Sequence, residues 1–124
     1  MGRHNTILII DDDPRFRIVI KEIIWSKFPE LKIAEADSVK DGIHEAKYHQ
    51  PDFIILDIDF DIDNRFQLIR DVKSSNPQAT ILALSGNDAF EYEKAILGNG
   101  ADYFLSKFSY SGKQIIDLIE SVLS

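Results

Sequence analysis

Ile7-Leu8-Ile9-Ile10-Asp11-Asp12-Asp13-Pro14 is the stretch that decides the fold. Four aliphatic residues in a row have no polar alternation, so the segment suits a strand covered on both faces. Three carboxylates end the run, and Pro14 is pre-set to open a helix, where its missing N–H costs nothing. The unit therefore reads as strand, acidic turn, helix. The same unit recurs along the chain. Leu31-Lys32-Ile33-Ala34-Glu35-Ala36 is a weaker strand with period two; Phe53–Leu56, Thr80–Leu84 and Tyr103–Leu105 are short apolar runs.

Helical spacing fills the gaps. Phe16, Val19, Ile20, Ile23 and Ile24 form one apolar stripe, closed by Pro29. Val39, Ile43 and Ala46 form a second, capped by Asp37 or Ser38 and stopped before Pro51. Phe66, Ile69 and Val72 form a third, stopped before Pro77. A fourth helix is expected from about Asp88 to Leu97, ending at Gly98. The fifth carries Ile115, Ile116, Ile119, Val122 and Leu123, with Gly112 as a weak point near its start. Five strand–helix pairs predict a doubly wound (βα)5 α/β fold, a three-layer sandwich with a five-stranded parallel sheet and right-handed crossovers.

Composition narrows the function. The chain has 124 residues, 44% hydrophobic and 28% charged, which is globular composition for one domain. The absence of cysteine removes disulfides, thiolate catalysis and cysteine–zinc sites. A formal net charge of −7 argues against direct nucleic-acid binding through a basic patch. No apolar run reaches the ~20 residues of a membrane span. The start, Met1 to Thr6, has no signal-peptide pattern, and its match to the N-myristoylation motif is too short to carry weight.

In open α/β sheets, function gathers at the carboxyl ends of the strands. Strand one ends in Asp11-Asp12-Asp13, strand three in Asp57, strand four in Ser85-Gly86 and strand five in Ser106-Lys107. Clustered carboxylates repel unless a cation joins them. Oxygen-only donors favour a hard ion such as Mg²⁺. Carboxylates, a hydroxyl and an ammonium around such an ion are the equipment for accepting a phosphoryl group. A single strand-end Asp such as Asp37 or Asp52 is better read as a cap or turn residue; the convergence of four strand ends carries the argument.

With these segments in order, the chain resembles the receiver domain of two-component response regulators from Thr6 to about Leu123. The matching pieces are Ile7–Pro14, Asp52–Asp57, Leu84-Ser85-Gly86 and Gly100–Lys107. The resemblance implies the flavodoxin-like strand order 2-1-3-4-5 and a single receiver domain over residues 1–124 with no output domain. It implies that Asp57 is the phosphoacceptor. Asp11 and Asp12, with Asp57 and the main-chain carbonyl of Asp59, would hold Mg²⁺; Ser85 and Lys107 would stabilise the phosphoryl group. Phe104 matches the switch aromatic, which enters the space vacated when Ser85 moves and so repacks the face of helix four, strand five and helix five. Phe90 and Tyr92 are expected on helix four. Asp59 and Asn87 border the site. The implied protein is a cytoplasmic phosphorelay component and not an enzyme with turnover. Its partners would be a histidine kinase or phosphotransfer protein and an unknown output partner, with no membrane contact and with homodimerisation left open.

Three departures from the family pattern stand out. Asp61 and Arg65 replace the usual Pro and Gly, which predicts a differently shaped, looser start to helix three. Phe108 replaces the Pro that usually follows the lysine through a cis bond, leaving two options: a trans bond with Lys107 displaced, or a costly cis bond without Pro. Asp59 adds a carboxylate whose effect has no sign from sequence.

Rival classes fit worse. Asp57-Ile58-Asp59 resembles the haloacid-dehalogenase phosphatase motif but sits on the third strand, with no room for a cap domain. Calcium-loop registers from Asp57 or Asp59 lack the required Gly and Glu. A flavodoxin-like flavin binder would place phosphate against Asp11-Asp12-Asp13. The serious alternative is a receiver-like interaction module not regulated by phosphorylation. His4, His44 and His49 do not cluster in sequence and read as surface residues.

Overall fold

The aliphatic runs pair as the sequence predicts. The structure, a computed structural model, describes residues 5–86 and 90–123. Its elements are β1 (Thr6–Ile10), α1 (Pro14–Lys27), β2 (Lys32–Ala36), α2 (Val39–His49), β3 (Phe53–Asp57), α3 (Arg65–Ser75), β4 (Thr80–Ser85), α4 (Glu93–Gly98), β5 (Tyr103–Ser106) and α5 (Gly112–Leu123). The sheet order is β2-β1-β3-β4-β5 and every neighbouring pair is parallel. This is the flavodoxin-like order expected.

Strand alternation splits the core in two. Leu8, Ile10, Ile54, Leu56, Ile81 and Ala83 face α2, α3 and α4, where Ala46, Leu68, Ile69, Val72 and Ile96 pack. Ile7, Ile9, Phe53, Ile55, Leu82 and Leu84 face α1 and α5, where Ile20, Ile24, Ile115 and Ile119 pack. Both sheet faces are covered, so the strands need no polar alternation. At Gly42 a Cβ would stand 2.6 Å from Ile10 Cδ1, so α2 approaches β1 more closely than a side chain permits. Register then fixes the rim: Asp57 lies opposite Leu84, and Ser85 opposite Ser106.

Local chemistry sets the helix ends. Asp13 caps α1 by accepting the Arg15 amide at 2.9 Å, with Pro14 in the first turn. Of the two candidates for α2, Ser38 is the cap, accepting from the Asp41 amide. Val19 is a correction: it is 44% exposed, because the buried strip of α1 is centred on Ile20 and Ile24 and is narrower than the five-residue stripe.

The helix three start does differ from a plain α-turn. A 3₁₀ turn over Ile62–Asn64 precedes it, held by the Asn64 amide on the Asp61 carbonyl and the Asn64 side chain on Asp61 Oδ2. Arg65 has φ −60°, ordinary right-handed backbone, so this turn needs no glycine at that position. Phe90 and Tyr92 belong to a second 3₁₀ turn rather than to helix four, and α4 is six residues long, anchored by buried Ile96. The expected beginning near Asp88 lies outside the described residues. Among the described residues no helix is long and apolar enough to cross a membrane.

Candidate functional site

The three consecutive aspartates after β1 divide their work. Asp11 is 1% exposed, and its Oδ1 accepts the Asp13 amide at 2.8 Å. Asp12 is exposed at the rim. Asp13 leaves the site to cap α1. On the neighbouring strand Asp57 repeats the first arrangement: it is buried, and its Oδ1 accepts the Asp59 amide at 2.8 Å. One carboxylate oxygen each from Asp11, Asp12 and Asp57 lies within 4.8 Å of the others.

Lys107 supplies the opposite charge. Its Nζ stands 2.7 Å from Asp11 Oδ2 and 3.4 Å from Asp57 Oδ2. The 107–108 peptide is trans, and the lysine still reaches both carboxylates. Its amide donates to the Ser85 carbonyl at 2.9 Å, which fixes where the side chain starts. The Phe16 ring lies 4.5 Å from Nζ and meets Tyr110 edge-on, a cation–π contact that shields the ammonium from one side. Arg17 donates to the Asp11 carbonyl and bonds Glu35 on β2 at 2.9 Å, bracing the acidic turn.

Burial dominates the electrostatics. Desolvation pushes the Asp57 carboxyl up to about 6, against the Asp59 amide and Lys107, which favour the charged form. Burial pulls the Lys107 ammonium down, but its ion pairs with Asp11 and Asp57 outweigh this and hold it above its ordinary value.

Ser85 is fully buried and its hydroxyl donates to Asp59 Oδ1 at 2.8 Å. The Gly86 amide donates to Asp59 Oδ2, also at 2.8 Å. A Cβ on Gly86 would stand 2.8 Å from the Phe108 ring, itself 83% exposed, so Phe108 roofs the Gly86 backbone. Phe104 is half-buried against the α2–α4 side of the core. Asn87 lies outside the described residues. Asp59 borders the site as expected, and its carboxylate lies on Ser85 and Gly86; Phe16 and Arg17 were not among the expected groups of the site. Phe16 and Arg17 sit within the first turn of α1, beside the acidic run, and that proximity is the cue that was available.

The donor set tests well for a metal. It is entirely oxygen, and its members are gathered on one rim, with the buried Asp11 Oδ2 already met by a cation, Lys107 Nζ, at 2.7 Å. Such a site fits a hard divalent cation.

Comparison with known proteins identifies the family. The family model described as "Response regulator receiver domain" matches residues 7–120. The Escherichia coli K12 nitrate/nitrite response regulator protein NarL is 31% identical over 103 residues, covering 82% of this chain and 47% of NarL. A CheY-like receiver domain protein from Methanospirillum hungatei superposes with a TM-score of 0.82 at 19% identity, covering 96% of this chain and 93% of that one. A Burkholderia pseudomallei response regulator, solved with a phosphorylated aspartic acid, a calcium ion and citrate, has a TM-score of 0.75 at 22% identity and covers 97% of this chain and 66% of that one. The chain belongs to the response regulator receiver domain family. It spans about half the length of the curated relatives it matches. Receiver domains bind Mg²⁺ at an acidic pocket and work with histidine kinases and output domains.

Proposed function

We propose that this chain is a phosphoacceptor switch in which Asp57 takes a phosphoryl group from a histidine kinase, a phosphotransfer protein or a small phosphodonor. The observation that carries the reading is the meeting of Asp11, Asp12 and Asp57 oxygens within 4.8 Å beside Lys107. An Asp57 carboxylate oxygen attacks phosphorus, and the bond from phosphorus to the donor's leaving group breaks. Lys107, held by Asp11, offsets charge on the phosphoryl oxygens. Bound by Asp11, Asp12, Asp57 and the Asp59 carbonyl, Mg²⁺ would supply further charge neutralisation. The Burkholderia neighbour's phosphorylated aspartate supports this reading. Ser85 then turns to the phosphoryl group, Phe104 follows, and the face of α4, β5 and α5 changes its partner preference. On this reading the domain acts by changing what its α4, β5 and α5 face contacts, and not by turnover of a separate substrate.

Incubation with acetyl phosphate and Mg²⁺ followed by intact-mass measurement tests this. The expected result is a gain of one phosphoryl mass, abolished by Asp57→Asn and by removal of Mg²⁺. A second reading, an interaction module indifferent to phosphate, has one observation behind it: Asp59 already engages Ser85 and Gly86. No mass gain and no spectral response to beryllofluoride would favour it.

A further inference from the structure

The Asp59 side chain carries a consequence that rests on the phosphoacceptor reading. A phosphoryl group needs hydrogen-bond donors, and the end of β4 offers a buried hydroxyl, Ser85, and the next amide, Gly86. Both donate to the two oxygens of the same carboxylate, Asp59, at 2.8 Å each. This is a two-point anion contact of the charge-assisted kind. The Asp59 backbone is tied down as well, its amide donating to Asp57 Oδ1 at 2.8 Å. The Ile58 amide on the Leu84 carbonyl at 3.0 Å stitches this turn to β4. The carboxylate is thus positioned from both ends: its backbone on the phosphoacceptor, its oxygens on the β4 donors.

We propose that Asp59 is a built-in competitor of the phosphoryl group, occupying the Ser85 hydroxyl and the Gly86 amide until phosphorylation of Asp57 displaces it. A phosphoryl group brings a charge of about −1.5 to −2 and three acceptor oxygens, against the single charge and two oxygens of the carboxylate. It outbids Asp59 for the donors and repels it. The domain therefore spends part of the phosphoryl group's binding energy on eviction, and Asp59 sets the threshold for switching.

The test is a double-mutant cycle read by the binding of beryllofluoride, a phosphoryl analogue, at saturating Mg²⁺. Asp59→Ala keeps the main-chain carbonyl that would face the metal and removes only the competing oxygens. It should tighten beryllofluoride binding about tenfold, the scale of one net charge-assisted hydrogen bond. In the Ser85→Ala background the same substitution should gain clearly less, because one contested donor is already gone. An equal gain in both backgrounds would assign the effect to charge repulsion alone and overturn the proposal, as would no gain at all. A direct readout accompanies the cycle. In ligand-free protein the Gly86 amide proton should move upfield in Asp59→Ala, and in wild type the Asp59 carboxyl carbon should shift on saturation with beryllofluoride. A carboxyl carbon that stays put at saturation also sinks the idea. Binding by wild type without these couplings rejects the competitor alone. No binding by wild type or any variant rejects the phosphoacceptor reading and the competitor with it.

Discussion

The turns after β1 and β3 begin with the same hydrogen bond. Asp11 Oδ1 accepts the amide of Asp13, and Asp57 Oδ1 the amide of Asp59, each at 2.8 Å. They end differently. Asp13 turns outward and caps α1. Asp59 turns across the rim to Ser85 and Gly86. In the first turn the chain passes straight into a helix whose free amides need a cap. In the second, α3 is delayed until Arg65 by the turn over Ile62–Asn64, so no helix terminus claims the acidic residue. An Asp-x-Asp step thus spends its second carboxylate on whichever donors the following chain leaves open.

The largest expected effect concerns the buried carboxylate of the second turn. Folding raises the Asp57 carboxyl from 3.8 to about 6. The unfolded chain binds fewer protons than the folded one between those values, so this group's contribution favours folding below about 4 and is lost as pH rises through 6. In metal-free buffer at pH 7–8, Asp57→Asn should therefore be more stable than wild type, by on the order of 2–3 kcal/mol. The gap should close below about pH 4, and Mg²⁺ should narrow it at neutral pH by stabilising wild type. Chemical denaturation across pH checks this; a variant less stable than wild type at pH 8 in chelator would contradict it.

A metal titration then separates the aspartates of the first turn. Asp11→Asn should weaken Mg²⁺ binding by at least about tenfold, since even residues that only support a ligand cost that much. Asp13→Asn should leave it within about twofold, because Asn still caps. Equal losses would mean the two residues share one role. Smaller again is the cap itself. Asp13→Ala removes the acceptor of the Arg15 amide and should cost about 1 kcal/mol of stability with Mg²⁺ affinity kept. Asp59→Ala, whose side chain caps no helix, should show the reverse pattern, changing ligand binding more than stability.

This contrast also marks what was legible. The strands were, because an aliphatic run such as Ile7–Ile10 needs both faces covered. Asp11, Asp12, Asp57 and Lys107 could be placed on one rim because each ends a parallel strand and the register does the rest. The direction of the Asp59 side chain was not, because it depends on where α3 starts, and a 3₁₀ turn has no strong sequence signature. The Lys107–Phe108 bond was left open between two forms, since only the folded path of the turn decides it. Val19 was placed inward because helical spacing gives an angle around the axis and not the width of the buried strip.

The smallest prediction sets a surface carboxylate against Asp57. Glu35 on β2 is bonded by Arg17 at 2.9 Å and Lys21 at 2.8 Å, and Arg17 also holds the Asp11 carbonyl. Partial burial raises its carboxyl, but the two cations outweigh that and hold it below the usual 4.5. Its pH sign is therefore opposite to that of Asp57: the stabilisation is present above the ordinary carboxyl range and lost as the medium is acidified through the lowered value. Its side chain is a third exposed, so water and salt screen the pair and Glu35→Gln should cost under about 1 kcal/mol at pH 7. The cost should shrink on acidification and in high salt, whereas the Asp57→Asn gain appears only as the pH rises. If the Glu35→Gln deficit instead grew toward pH 3, its charge would not be what braces the first turn, and the Arg17 contact to the Asp11 carbonyl would have to hold that turn alone.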